Sequence, residues 1–174
     1  QNHLKLLETC PQRFQYIFDQ SLAVPPSQEF QEAAVWGSQF HLLMQQQALG
    51  MPIDVMSMAN KEMVAKVDAL KQKAPHLFQS GEHESLRQSE HQRTLALNGY
   101  VFTVIYDLVV LTPTAGMIVD WKTYLKPPLK RYLADDWQTR LYLYVLKETT
   151  DLLPEQLNMD YWFVRHRDQQ GNEL

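Results

Sequence analysis

Apolar positions recur at helical spacing through the first part of the chain and at strand spacing after it. Phe14, Ile17 and Phe18 fall on one helical face, and Thr9-Cys10-Pro11 supplies its start, with Thr9 as cap and Pro11 in the first turn, where a missing N–H costs nothing. Leu22 to Ser27 is a connector broken by Pro25 and Pro26, and Ser27 caps the next helix. The spacing predicts that helix from about Gln28 to Gln47, closing near Gly50, with an inner stripe of Phe30, Ala33, Ala34, Gly37, His41 and Met44. Gly37 would let this helix approach another element closely. Met51 to Ala59 reads as a short helical turn. Asn60 caps a third helix through Lys73, with Met63, Val64, Val67 and Leu70 on one face, and Pro75 ends it.

The stretch from Gln79 to Gln92 is polar, includes His83 and His91, and reads as a loop. The period then changes to two. Arg93 to Leu97 is a strand, Asn98-Gly99 a two-residue hairpin turn, Tyr100 to Leu111 a long strand, Thr112 to Gly116 a turn, and Met117 to Thr123 a third strand. Tyr124 to Leu133 is a basic loop. Asp135 or Asp136 caps a helix over about Trp137 to Lys147 whose Leu141, Val145 and Leu146 face inward. A turn begun by Pro154 leads to a last strand over Met159 to His166. The order αβββαβ predicts a mixed α/β (α+β) fold: a mixed central sheet flanked by helices, behind an N-terminal helical part.

Composition narrows the classes. The 174 residues suffice for one domain with a real core, and 45% apolar content is ordinary for a globular chain. One domain is expected over 1–174, mostly helical over 1–80, with the catalytic sheet and helix over 90–166. Lys and Arg number 16 against 20 Asp and Glu, a net charge of −4, so binding to nucleic acid would have to use a local basic patch. Cys10 is the one cysteine, which excludes an internal disulfide and a four-cysteine metal site. With no signal-peptide pattern and no run long enough to span a bilayer, a cytoplasmic location is expected. The sequence opens at Gln1 rather than Met, as an excised domain or a trimmed piece would.

Two of the apolar strands carry acids where a core strand should carry none. Asp107 interrupts Tyr100–Leu111, and Asp120 interrupts Met117–Thr123. Lys122, two residues beyond Asp120, points to the same face. If the strands pair as a hairpin, Asp107 sits beside Asp120. Such charges are costly to bury unless they pair closely or bind something, and oxygen donors at one point suit a hard cation such as Mg²⁺ or Mn²⁺. A cation with two carboxylates and a lysine is what phosphodiester hydrolysis needs. The competing reading places both acids at strand ends, with Lys122 merely paired to one of them.

Asp107, Asp120-Trp121-Lys122 and Gln138-Thr139-Arg140-Leu141-Tyr142, in that order, resemble the PD-(D/E)XK nuclease superfamily, and most closely its RecB-like branch, which includes the nuclease domains of bacterial helicase–nuclease complexes and a CRISPR adaptation nuclease. The last element matches a Gln-x-x-x-Tyr motif. Cys10-Pro11-Gln12-Arg13-Phe14 looks like the family's opening helix, Gly37 with His41 is similar to its helical histidine, and Glu90 matches an acid often found before the hairpin. The resemblance runs from about Glu8 to Phe163. It implies a restriction-endonuclease-like fold and a metal-dependent DNA nuclease, with an exonuclease favoured over an endonuclease. Asp107, Asp120, His41 and the Trp121 carbonyl would be metal ligands, for Mg²⁺ or Mn²⁺, the imidazole tilting preference toward Mn²⁺. Asp107, Asp120, Lys122, Gln138 and Tyr142 would be catalytic, with Glu90 a further candidate.

Lys126, Lys130, Arg131 and Arg140, interleaved with Tyr124, Tyr132 and Trp137, would hold phosphates and stack bases of single-stranded DNA or duplex ends, unless they form an ordinary solvated loop. A helicase or another repair or CRISPR-type protein is the expected protein partner. Two departures stand out. Val104 occupies the place of a family glycine three residues before the first aspartate, which questions how closely substrate approaches that strand. The iron–sulfur cluster of some relatives needs four cysteines, so none is expected here. The alternative function is a catalytically inactive nuclease-fold module that binds DNA or a partner protein.

Overall fold

The computed structural model describes residues 2–51 and 61–166. Helices α1 (Asn2–Thr9), α2 (Pro11–Phe18), α3 (Gln28–Ala48) and α4 (Lys61–Lys73) precede a hairpin of β1 (Leu86–Leu97) and β2 (Tyr100–Leu111). Then come β3 (Gly116–Lys122), α5 (Lys130–Ala134), α6 (Trp137–Glu148) and β4 (Leu157–Phe163). The sheet has the order β1-β2-β3-β4, antiparallel except for the parallel β3–β4 pair. The chain carries α6 across a sheet face between those parallel strands, as a parallel connection requires. This is the expected αβββαβ order and mixed sheet.

The sheet is packed on both faces. Phe40, Leu43 and Met44 of α3, with Met63, Val67 and Leu70 of α4, cover Leu108, Val110, Val119 and Trp121. On the other face Val145 and Leu146 of α6 cover Val104, Tyr106, Val109, Leu111 and Ile118. Each such side chain contributes about 1.5–3 kcal/mol when fully buried. Asn98 and Gly99 close the hairpin with φ of 51° and 81°, the two left-handed residues that a tight turn matched to strand twist requires.

Several local expectations are corrected. Thr9 does not cap α2. It ends α1, and its Oγ1 donates to the Lys5 carbonyl at 2.7 Å, so its hydroxyl is already committed one turn back. Cys10 precedes α2 and offers no side-chain cap. Ser27 does cap α3, its Oγ accepting from Phe30 N at 3.3 Å. The inner stripe of α3 is Gly37, Phe40, Leu43 and Met44, and Phe30 is 66% exposed. Residues 28–35 all lie in the open, because the first turns of α3 meet no buried layer.

The polar stretch read as a loop to Gln92 already belongs to β1 from Leu86 onward. β1 is an edge strand, and its backbone pairs with β2 whether or not its side chains are apolar. The basic loop after β3 winds into the short α5 from Lys130. The last strand ends at Phe163 rather than His166. The turn expected over Met51–Ala59, past Met51 itself, and the Asn60 cap lie outside the described residues. Among the described residues no helix is long and apolar enough to cross a membrane.

Candidate active site

The alternation of β2 breaks where the site forms. Tyr106 and Val109 face α6, whereas Leu108 packs with the α3 side and Asp107 reaches His41 of α3. Two consecutive side chains therefore turn the same way. Opposite them, between the pairs Ser89↔Leu108 and His91↔Tyr106, stands Glu90 with φ 49°, in the left-handed region that a non-glycine residue rarely occupies. Backbone strain of this kind is held in place by its surroundings and concentrates at functional sites. The Asp107 carbonyl at this break is held by Ser89 Oγ at 2.9 Å.

Three side chains meet at the break. Ligating atoms of His41, Glu90 and Asp107 all lie within 4.8 Å of one another. His41 Nδ1 is 3.2 Å from Asp107 Oδ1, and Asp107 Oδ2 accepts from Trp121 N at 2.7 Å, which ties the cluster to β3. Gly37 marks a close approach of α3: a Cβ there would lie 2.9 Å from Thr123 Oγ1, so a side chain would make the threonine or the helix give way. The close approach expected of Gly37 is to the chain just past β3. Burial alone would lower the pKa of His41, but its bond to Asp107 and the charges of Asp107, Asp120 and Glu90 outweigh that and leave it raised. Burial, then the charge of Asp107, raises Glu90, with His41 opposing.

Asp120 does not join that group of three. It is 3% exposed and faces α6. Lys122 Nζ pairs with its Oδ2 at 2.7 Å, and Gln138 Nε2 donates to its Oδ1. The other end of the same amide, Gln138 Oε1, accepts from Lys122 Nζ at 2.6 Å. Gln138, 6% exposed, thus bridges the acid and the lysine. Burial and the negative charge of Asp107 raise Asp120 well above the usual carboxylate range, and Lys122 and His41 only partly offset them. The two aspartates feel each other, but they reach the site from different sides of the sheet end: Asp107 with α3, Asp120 with α6.

Asp136 caps α6 by accepting from Gln138 N at 2.9 Å, and so fixes the start of the helix that carries the bridge. Lys5 of α1 pairs with the same carboxylate at 3.0 Å, and Trp137 Nε1 donates to Glu8 at 2.7 Å. Tyr142 follows one turn after Gln138, and burial pushes its phenol up to about 12, with Gln138 opposing. Its carbonyl accepts from Tyr106 Oη at 3.1 Å, and the two rings stand edge to face at 5.2 Å. Two cavities adjoin the acids. A groove along α3 is lined by Ala33, Ala34, Gly37, His41, Glu90 and Asp107. A second cavity of about 390 Å³ shares Glu90 and Asp107 and continues past Phe78 and Ser89.

A sequence profile of the PD-(D/E)XK nuclease superfamily matches residues 1–174. The chain belongs to that superfamily. No curated protein and no solved structure matches it. For this PD-(D/E)XK nuclease family member the mixed sheet and its helices are the restriction-endonuclease-like arrangement. The superfamily's nucleases use divalent ions, and the donor set here fits one: an imidazole and two carboxylates converge within ligating range, with a further, buried carboxylate nearby.

Val104 departs from the family pattern without intruding on this site. It is 2% exposed and packs against the α6 side, away from His41 and Glu90. Lys126, Lys130, Arg131 and Arg140 are all exposed. Arg140 lies over the Trp137 ring at 5.0 Å and Arg131 over the Tyr132 ring at 4.8 Å, whereas Lys130 lines a cavity along β4. The pattern of β4 gave no sign of a site contact, yet Tyr161 of that strand lies against Lys122. An alternating, half-buried strand carries no mark of which side chain will meet a neighbouring lysine.

Proposed function

We propose that this chain is a metal-dependent deoxyribonuclease of the RecB-like type, acting in the cytoplasm on DNA ends or single strands as an exonuclease. The observation that carries the reading is the Gln138 amide held between Asp120 and Lys122, beside the His41–Glu90–Asp107 group. Burying such a pair is costly unless geometry and hydrogen bonds are both good, and the Gln138 amide supplies those bonds; what gives the pair a chemical use is the group of ligating side chains beside it.

His41, Glu90, Asp107, Asp120 and the Trp121 carbonyl would hold Mg²⁺ or Mn²⁺. A bound ion of this kind activates water and offsets the charge that builds on the attacked phosphorus. Lys122 brings a second positive centre to the phosphate oxygens. Gln138 sets the distance between that lysine and Asp120, and Tyr142 stands one turn along the same helix, on the same face. Tyr142 stays protonated at neutral pH and serves as a donor rather than a base. Lys126, Lys130, Arg131 and Arg140 offer charge, and Tyr132 and Trp137 offer rings, to the phosphates and bases of a strand. A helicase or other repair protein would bring substrate to the site. The exonuclease assignment rests on the resemblance to the RecB-like branch. End-labelled DNA, single- and double-stranded, linear and circular, with Mn²⁺ or with chelator, tests the whole reading in one gel.

A further inference from the structure

We infer that Tyr161 is the positioning residue for Lys122, an inference that rests on the proposed role of that lysine at the phosphate. β4 runs parallel to β3 with Tyr161 beside Asp120, and Lys122 lies two residues further on the same face. The ammonium of Lys122 stands 5.2 Å from the centre of the Tyr161 ring, inside the range over which an aromatic face attracts a cation. The ring is itself anchored. Tyr161 Oη is 2.7 Å from Thr139 Oγ1, and that hydroxyl donates to the Leu133 carbonyl. Thr139 has one hydroxyl proton and gives it to Leu133, so Tyr161 is the donor to Thr139.

The arrangement gives α6 two holds on one lysine. Gln138 takes the ammonium directly, and the adjacent Thr139 fixes the ring on which it rests. A lysine is a point charge on a flexible stem and does not hold its own place. With Asp120 engaged elsewhere during the reaction, Gln138 and the Tyr161 face are what keep the ammonium in position. Tyr161 lies outside the His41–Glu90–Asp107 group and the groove along α3, so it acts on the site through its neighbours Lys122 and Asp120.

Four chains test this: the wild type, Tyr161→Phe, Tyr161→Leu and Lys122→Met. The first readout is the proton resonance of the Lys122 ε-methylene, identified by its disappearance in Lys122→Met. It should lie upfield in the wild type and in Tyr161→Phe, through the ring current, and return to the ordinary lysine position in Tyr161→Leu. The second is cleavage of a linear DNA strand with Mn²⁺. Tyr161→Leu should lower kcat about three- to tenfold, the loss expected for one cation–ring contact. KM and calorimetric Mn²⁺ affinity should stay within about twofold. Tyr161→Phe should recover most of the rate. An ordinary Lys122 position in the wild type would overturn the inference. So would a full rate in Tyr161→Leu when Lys122→Met is impaired, or a parallel fall of kcat, metal affinity and melting temperature. If no chain cleaves DNA, the proposed function fails, and the resonance alone decides whether the ring holds the lysine.

Discussion

His41 Nδ1 lies 3.2 Å from Asp107 Oδ1, so one ring nitrogen of α3 reaches the acid at the break in β2. Gly37, one turn earlier, faces Thr123 with no side chain between them. If the pair belongs to a cation site, His41→Ala should weaken Mn²⁺ binding by about tenfold to a hundredfold, the scale on which altering groups at such sites acts. Calorimetric titration measures this directly. Unchanged affinity would remove His41 from the ligand set.

The protonation of the site has one sign. His41, Glu90 and Asp120 all have raised pKa values in the folded chain, Asp120 to about 6. A raised pKa means that the folded state binds the proton more tightly, so the associated stability is present at low pH and is lost as pH rises through the folded value. For Asp120 that stability is complete below about 4 and is lost as pH rises to about 6, and Glu90 acts in the same direction from the same lower bound. For His41 it is complete below 6.5 and is lost as pH rises from there through its raised value. Without a divalent ion, these groups should therefore lower the melting temperature as pH rises from about 4 through about 6, and further above 6.5. Mn²⁺ competes with those protons, so its stabilising effect should be larger at the upper end of the range. Thermal melts with Mn²⁺ and with chelator check both slopes. A metal-free melting temperature independent of pH would contradict the assignment.

Val104 stands where the family resemblance leads one to expect glycine, and its side chain is core rather than obstruction. Val104→Gly should cost about 3 kcal/mol, from lost burial and added backbone freedom in a strand. It should neither tighten Mn²⁺ binding nor speed cleavage. Denaturant unfolding measures the first and a rate assay the second. A faster enzyme would show that the valine does crowd the substrate.

Much of the fold and site was legible in the chain, and the failures have physical causes. Asn98-Gly99 fixed the hairpin because only a few residues accept two successive left-handed conformations. Asp107, Asp120 and Lys122 stood out because charges in apolar strands need partners. The first half of β1 was hidden because Arg87, Gln88, Ser89 and Gln92 lie in an edge strand whose pairing is made by backbone alone. The break at Glu90 and Asp107 was hidden for a related reason: a period-of-two reading assumes unbroken alternation, and one left-handed residue cancels it. That break also explains why the two aspartates, expected side by side, divide between the His41 group and the Lys122–Gln138 bridge. Phe30 misled because helical spacing shows which face a residue is on, not whether another layer covers that part of the helix.

The most direct test of the central claim compares the wild type with Lys122→Met on end-labelled linear and circular DNA, with Mn²⁺ and with chelator. Methionine keeps most of the stem's bulk and removes the charge. The wild type should degrade linear DNA with Mn²⁺ and lose that activity with chelator, while circular DNA survives. Lys122→Met should be slower by about a hundredfold or more, the scale of losing one preorganised group that stabilises charge in the transition state, with Mn²⁺ affinity retained. Full activity in Lys122→Met, or no cleavage by a wild type that binds Mn²⁺, would contradict the account.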